Sequence, residues 1–371
     1  MEIVVRTTDF ARVLRLVQTL ADRKNTMPVL GTLLIRADAK GLTVNGMDMD
    51  LGGISYCPAT IQAPGSAAIP AQRLTEYVRM LPESELVLKA QTSGWVSLSC
   101  GRSRSRIATI SAESFPELPR PPREGASLST GVLARLMEKA SVAVSSESVN
   151  TNLAGALLKI ETSMVSMVGT DGHRLALATA PVEMPALREP VDVLIPRKAL
   201  AAFLRFAEGR NDQPVRCAVT DNHIFFVWQE RLLFNRKLSG TFPSYERVLP
   251  KSHAASLSLN RNDLRSALER VAQFTESKTR CVVVEVSPNQ VCVRAQDGAV
   301  GDSEESLATS YAGEPARIGF NAAYLADFLN RAEHQNVRLL FNNADTATEW
   351  QPASEAAAPD FRYVVMPMRI G

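Results

Sequence analysis

The sequence predicts an α+β protein made of three similar units, each mostly antiparallel strand with two helices. Two periodicities carry this reading. The segments "AAIPAQRLTEYVRML" from Ala67, "DVLIPRKALAAFLRF" from Asp192 and "ARIGFNAAYLADFLNRA" from Ala316 share one pattern. Each is an apolar strand end, a polar pair, and a helix with apolar residues at three- and four-residue spacing. Their anchors Ile69, Ile195 and Phe320 lie 126 and 125 residues apart. A hairpin whose second strand ends at an aspartate also recurs, as "TLLIRADAKGLTVNGMD", "ALLKIETSMVSMVGTD" and "VVVEVSPNQVCVRAQD". Asp48, Asp171 and Asp297 are 123 and 126 residues apart. Several matches in one order mark a triplication.

Along the chain, each unit opens with an alternating strand ("EIVVR", "ASLS", "ASLSL") followed by an amphipathic helix. These helices are "DFARVLRLVQTL", "GVLARLMEKAS" and "NDLRSALERVAQF". The hairpin comes next, then the strand and helix of the first pattern. Further alternation, as in "WVSLSC" and "HIFFVW", predicts half-buried antiparallel strands rather than the continuous apolar runs of a parallel sheet. Proline, glycine and charge accumulate in "FPELPRPPREGAS" (Phe115 to Ser127) and "FPSYERVLPKSHAAS" (Phe242 to Ser256), which read as linkers. The expected domains are therefore 1–123, 124–251 and 252–371.

The composition excludes more than it selects. Hydrophobic residues make up 45% and charged residues 22% of 371 residues, the balance of a soluble globular protein. No run reaches the length of a membrane span. The start, "MEIVVRTTDF", lacks the basic and apolar blocks of a secretory leader, so a cytoplasmic protein is expected. The five cysteines, 57, 100, 217, 281 and 292, are scattered without a CxxC pair and read as reduced, mostly buried thiols. Four histidines with no metal-motif spacing predict no metal site. The net charge of +2 leaves any nucleic-acid binding to the distribution of charge.

"GTDGHRLALA", from Gly169 to Ala178, brings Asp171, His173 and Arg174 together. A catalytic reading needs a nucleophile beside a base. No G-x-S-x-G, P-loop or H-E-x-x-H motif supplies one or a cofactor site. The structural reading makes Gly169 and Gly172 the turn and Asp171 its cap through backbone amides. That reading suits Asp48 and Asp297 as well, but leaves open why only the middle copy carries "GHRL". The terminal "DFRYVVMPMRIG" reads either as a buried final strand or as the wall of a peptide groove, for which methionine is well suited.

Taken together, "TDGHRLA", "FPSYERVLP", "IPRKAL", "MPVLGTLLI", "CGRSRSRI" and "YVVMPMRI" resemble the bacterial DNA polymerase III beta subunit family, the sliding clamps, in one order along essentially the whole chain. The resemblance implies three clamp domains and a head-to-tail dimer that closes as a ring on duplex DNA. It also implies a non-catalytic processivity factor without cofactors. The implied partners are a clamp loader, the replicative polymerase alpha subunit, and other polymerases or repair proteins that dock short linear motifs.

Residue by residue, the resemblance implies a peptide cleft formed by Leu153, Thr170, Gly172, His173, Arg174, Leu175, Pro243, Arg247, Val248 and Tyr324. Val364, Val365, Met366, Pro367, Met368 and Arg369 would close it. Leu175, Val248, Val364 and Met366 would form an apolar floor, and Met368 would move to admit the peptide. Lys24, Arg73 and Arg197 would contact DNA phosphates, with Arg79 and Lys198 added as helix-face residues. The dimer joint would set Arg102 and Arg104 against Asp302, Glu304 and Glu305, with Ile107 and Phe274 as apolar contacts. Ser105 stands where family members often have phenylalanine, which implies a joint that opens more easily. Two rival readings are an accessory clamp with a different peptide preference and an enzyme built from triplicated domains.

Overall fold

A computed structural model describes residues 1–22, 27–91, 93–145, 151–185, 187, 189–353 and 360–370. Among them are six α-helices: α1 (Thr7–Gln18), α2 (Ala71–Arg79), α3 (Thr130–Ser141), α4 (Arg197–Ala207), α5 (Arg261–Val271) and α6 (Ala322–Arg331). All six are where the apolar spacing puts them, and each begins at the residue after a strand ends. In α1 the buried Phe10, Val13, Leu14 and Val17 follow the i, i+3, i+4, i+7 rule, so one stripe packs inward. Where a strand runs straight into a helix, the first amides need another acceptor. Asn260 supplies it for α5, accepting from the amides of Asn262 and Asp263, and Asn321 does so for α6, accepting from Ala323.

The chain falls into two compact units. The first comprises Met1–Ala134 and Lys198–Lys237. It holds a five-stranded antiparallel sheet in the order Thr60–Ala63, Glu2–Arg6, Glu85–Ala90, Trp95–Cys100, Ser103–Ala108. Its second sheet has eight strands, in the order Ala126–Ser129, Pro214–Val219, His223–Val227, Arg231–Arg236, Leu51–Cys57, Gly41–Met47, Thr32–Asp38, Gly65–Pro70. Four of these strands come from the first repeat and four from the second. They join where Arg231–Arg236 pairs with Leu51–Cys57, from Arg231↔Ser55 to Asn235↔Leu51. Glycine is required at this seam for close approach, since a Cβ on Gly52 would lie 2.4 Å from the Phe234 ring. Beneath it, Val29, Leu30, Leu34, Met47 and Phe115 pack with Ala218, Phe225 and Phe234, so side chains of both repeats share one core.

The second unit comprises Arg135–Arg197 and Leu238–Gly371. Its eight-stranded sheet runs Val191–Pro196, Gly155–Ile160, Met164–Thr170, Arg174–Pro181, Phe361–Val365, Thr348–Pro352, Asn336–Phe341, Ala255–Asn260. The same kind of seam joins the second repeat to the third, with Ala176 opposite Tyr363 and Ala178 opposite Phe361. Its remaining sheet has four strands, Gly301–Ala308, Gln290–Asp297, Cys281–Ser287 and Ala316–Asn321. In each repeat a third strand follows the expected hairpin (Leu51–Cys57, Arg174–Pro181, Gly301–Ala308), and the first two of these make the seams. The central repeat thus contributes strands to both units.

In the second unit an ion pair anchors the linker before α5. Glu349 is fully buried, and Arg362 forks onto it through Nε at 2.6 Å and Nη2 at 2.7 Å. Arg362 also donates to the Pro250 carbonyl at 3.2 Å, and His253 Nε2 lies 3.3 Å from Glu349. Burial works to raise the Glu349 carboxyl, but hydrogen bonds from Arg362 and Gln351 and the charges of Arg362 and His253 hold it below its usual 4.5. Because the folded value is depressed, this stabilisation is present above pH 4.5 and fades as pH falls below it. Glu349→Gln should cost about 3 kcal/mol at pH 7 by leaving Arg362 without its partner. Urea unfolding should show the gap between variant and parent narrowing below pH 4.5.

Candidate functional site

The recurring aspartates do one local job in three places. Asp48 Oδ1 accepts the amides of Asp50 and Leu51, both at 2.8 Å. Asp171 Oδ1 accepts those of His173 and Arg174, both at 3.0 Å, and Asp297 Oδ1 accepts that of Ala299 at 2.9 Å. In the middle copy Gly172 turns the chain at φ +90, and Thr170 Oγ1 donates to the Arg174 carbonyl at 2.7 Å. These contacts leave Asp171 one oxygen, which receives Arg174 Nε at 2.9 Å.

Arg174 is the hub of this site. Its Nη1 donates to Asp327 on α6 at 2.6 Å and to the Tyr363 hydroxyl at 2.9 Å, and its guanidinium lies 4.1 Å from the centroid of the Tyr324 ring. Burial acts to lower its pKa, but Tyr363, Asp327 and Asp171 outweigh that and hold it above its ordinary value. Burial pushes the Tyr363 phenol up as well. His173 is exposed, and its carbonyl accepts the Met366 amide at 2.9 Å. A cavity of about 460 Å³ opens beside Arg174, with Arg197, Arg331, Tyr324 and Asp327 among its lining. No group of three or more metal-ligating side chains occurs among the described residues.

The apolar half of the site is less open than the sequence implies. Leu175 and Val364 are buried in a cluster with Val168, Leu177, Leu194 and Phe242, edged by the half-buried Tyr245 and Leu249. Val365 is also fully buried, and by strand alternation it faces the opposite side of the sheet from Val364. Exposed apolar surface comes instead from Val248 and Met366, 47% and 44% accessible. Leu153, Pro367 and Met368 are half-buried, while Pro243, Arg247 and Arg369 are exposed. The Met368 amide donates to the Gly319 carbonyl at 2.8 Å, which pins the backbone of the tail. Tyr245, Leu249 and Asp327 belong to this site and were missed. Only the apolar spacing around Val248 hinted at the first two, and nothing near Asp327 marks it as the partner of a residue 153 positions earlier.

Models of the DNA polymerase III beta subunit match nearly the whole chain: the N-terminal domain at residues 1–119, the central domain at 127–244 and the C-terminal domain at 246–369. The chain belongs to the DNA polymerase III beta subunit family. It is similar to the beta sliding clamp of Pseudomonas putida, 31% identical over 96% of both chains, and to that of Caulobacter vibrioides, 30% identical over 100% of both. Among solved structures, that of the DNA polymerase III subunit beta from Pseudomonas aeruginosa superposes with a TM-score of 0.92 at 27% identity, covering both chains fully. As a family member the protein is a sliding clamp, a non-catalytic processivity factor. The "DGHR" segment is therefore not a catalytic centre.

The remaining residues singled out for this clamp are distributed as follows. Arg73 and Arg79 are exposed on α2, and Arg197 and Lys198 at the start of α4, while Lys24 lies outside the described residues. Lys198 is ion-paired with Asp48. Arg102 and Arg104 are exposed, Arg104 on the edge strand Ser103–Ala108. Asp302 and Glu304 are exposed on the edge strand Gly301–Ala308, but Glu305 falls on the other face of that strand. Both glutamates already have partners within the chain: Arg294 at 3.1 Å from Glu304, and Arg270 Nη2 at 2.7 Å from Glu305. Ile107 is packed into its own core at 5% exposure, whereas Phe274 is half-buried.

Arg174→Lys should keep the charge and lose the fork, stranding Asp327 or the Tyr363 hydroxyl. A loss of about 1–2 kcal/mol in urea unfolding is expected.

Proposed function

We propose that this sliding clamp closes with a second copy of itself, head to tail, into a ring of six repeats around duplex DNA. One observation carries the reading. At each internal seam, the third strand of one repeat's hairpin pairs antiparallel with the last strand of the next repeat. Continuing that rule, Gly301–Ala308 of the third repeat needs the last strand of a following first repeat, which is Ser103–Ala108. Both strands are at sheet edges, with unpaired backbone groups. The exposed Arg104 on one and the exposed Asp302 and Glu304 on the other are complementary. A heterologous contact of this kind, repeated once, closes.

In this reading Ile107 supports the joint from inside its own core, and Ser105 and Phe274 are the side chains available beside it. Lys24, Arg73, Arg79, Arg197 and Lys198 hold phosphates without reading bases, as a sliding ring requires. Arg174, His173, Val248 and the Met366–Met368 tail take a short peptide with apolar anchors. The peptides come from the replicative polymerase alpha subunit and from other polymerases and repair proteins. A clamp loader opens the ring.

The test is retention on circular DNA with a working loader, followed by linearisation. Encirclement predicts that the protein stays on the circle and runs off the cut molecule. Equal loss from both would overturn it. The joint has its own test in sedimentation at low salt. Arg104→Glu should weaken the dimer by about tenfold, and adding Glu304→Arg should restore much of it.

A further inference from the structure

In the second unit, the buried ion pair under the linker belongs to the same sheet face as the Leu175–Val364 cluster. Leu175, Val364 and Glu349 stand opposite one another on three adjacent strands, so the Glu349 carboxylate is the next side chain in that row. Arg362 shares the face, two residues before Val364 and opposite Leu177. The linker lies over both halves of this face. Phe242 is buried in the apolar cluster, with Tyr245 and Leu249 packed against it. Beyond Leu249 the contacts turn polar. Arg362 Nη2 donates to the Pro250 carbonyl at 3.2 Å, and His253 Nε2 lies 3.3 Å from Glu349. Asn342 then holds the backbone twice, donating to the Ser252 carbonyl at 3.1 Å and accepting the Ala254 amide at 2.7 Å.

Val248 lies between these two attachments and is 47% accessible. Its amide closes one short turn on the Tyr245 carbonyl at 3.0 Å. A single turn does not keep its shape alone in water, so the position of Val248 is set by what holds the linker on either side. The two sides differ in kind. Apolar contact at Phe242 is non-directional and tolerates sliding. The Arg362 end is directional: Nε and Nη2 grip the two Glu349 oxygens at 2.6 and 2.7 Å, and Nη2 also reaches Pro250. A planar guanidinium can hold a carboxylate and a carbonyl at once, whereas an ammonium keeps the charge and loses the fork.

We propose that Arg362, Glu349 and Asn342 are positioning residues for the peptide cleft, fixing the far end of the linker and thereby the distance of Val248 from the Leu175–Val364 floor. The proposal rests on the reading of Arg174, His173, Val248 and the Met366–Met368 tail as a peptide site. Glu349 is fully buried and touches no peptide; it acts through Arg362 and the linker. A wall already in place spares the peptide the cost of ordering it. Loosening an anchor therefore changes how long a peptide stays more than how fast it arrives.

The experiment follows a fluorescein-labelled hexapeptide with leucine and phenylalanine anchors, by anisotropy and stopped flow, on the full chain. Arg362→Lys keeps a cation beside Glu349 and releases Pro250. Asn342→Ala, at an exposed position, releases Ser252 and Ala254 and leaves the ion pair intact. The first should weaken binding about tenfold, mostly through faster dissociation, and the second about threefold. Each is then combined with Val248→Ala in a double-mutant cycle. Action through the wall predicts that either variant adds little once the Val248 side chain is removed. Equal factors in the parent and in the Val248→Ala background, or parent-like binding by both single variants, would overturn the proposal and leave the cleft standing. If the parent itself shows no saturable binding, the cleft reading falls and the positioning role with it. Should urea unfolding show that Arg362→Lys has lost its fold, Asn342→Ala carries the cycle.

Discussion

Everything in this structure depends on the backbone pairing that joins one repeat to the next. Each seam is an antiparallel ladder between strands far apart in sequence, and each is closed by small residues opposite large ones. Gly52 lies opposite Phe234 at the first seam, and Ala176 opposite Tyr363 at the second. Hydrogen bonds fix the register, and the small-against-large packing removes the apolar surface that the edges would otherwise expose. The seam also positions the site. Arg174 opens one seam strand, Tyr363 lies on the strand paired with it, and the bond between their side chains spans the ladder. The free edges differ in kind, carrying serine, arginine and carboxylates where the internal seams carry glycine, alanine and aromatics. Joined as proposed above, these edges would respond to salt in a way the internal seams do not.

The helices and hairpins were legible because their periods, 3.6 and 2, depend on nearby residues alone. The seams were not, since pairing between Arg231–Arg236 and Leu51–Cys57 is a long-range choice that leaves no local pattern. The aspartate turns were readable as caps, because an Asx bond reaches only two or three residues ahead. For the same reason Asp327 escaped notice: its role is set by packing of α6 against a turn from another repeat. Strand alternation divides residues that the resemblance groups together, putting Val365 on the face opposite Val364 and Glu305 on the face opposite Glu304.

The three capping aspartates also show how copies of one module diverge. Asp48 is paired with Lys198, Asp171 with Arg174, and Asp297 Oδ1 caps its turn through Ala299. One carboxylate oxygen keeps the turn in every copy. The other is free to acquire a partner, and in the middle copy that partner, Arg174, gathers Asp327, Tyr324 and Tyr363 around it.

The division of the central repeat between two compact units sets the limits of dissection. Its strands Arg231–Arg236 and Arg174–Pro181 each lie inside an eight-stranded sheet completed by another repeat. Excised at its linkers, the repeat would present both as bare edges flanked by apolar side chains, the combination that drives strands to aggregate. The triplicated module is thus a unit of ancestry but not of autonomy: what was copied three times can no longer be taken out once.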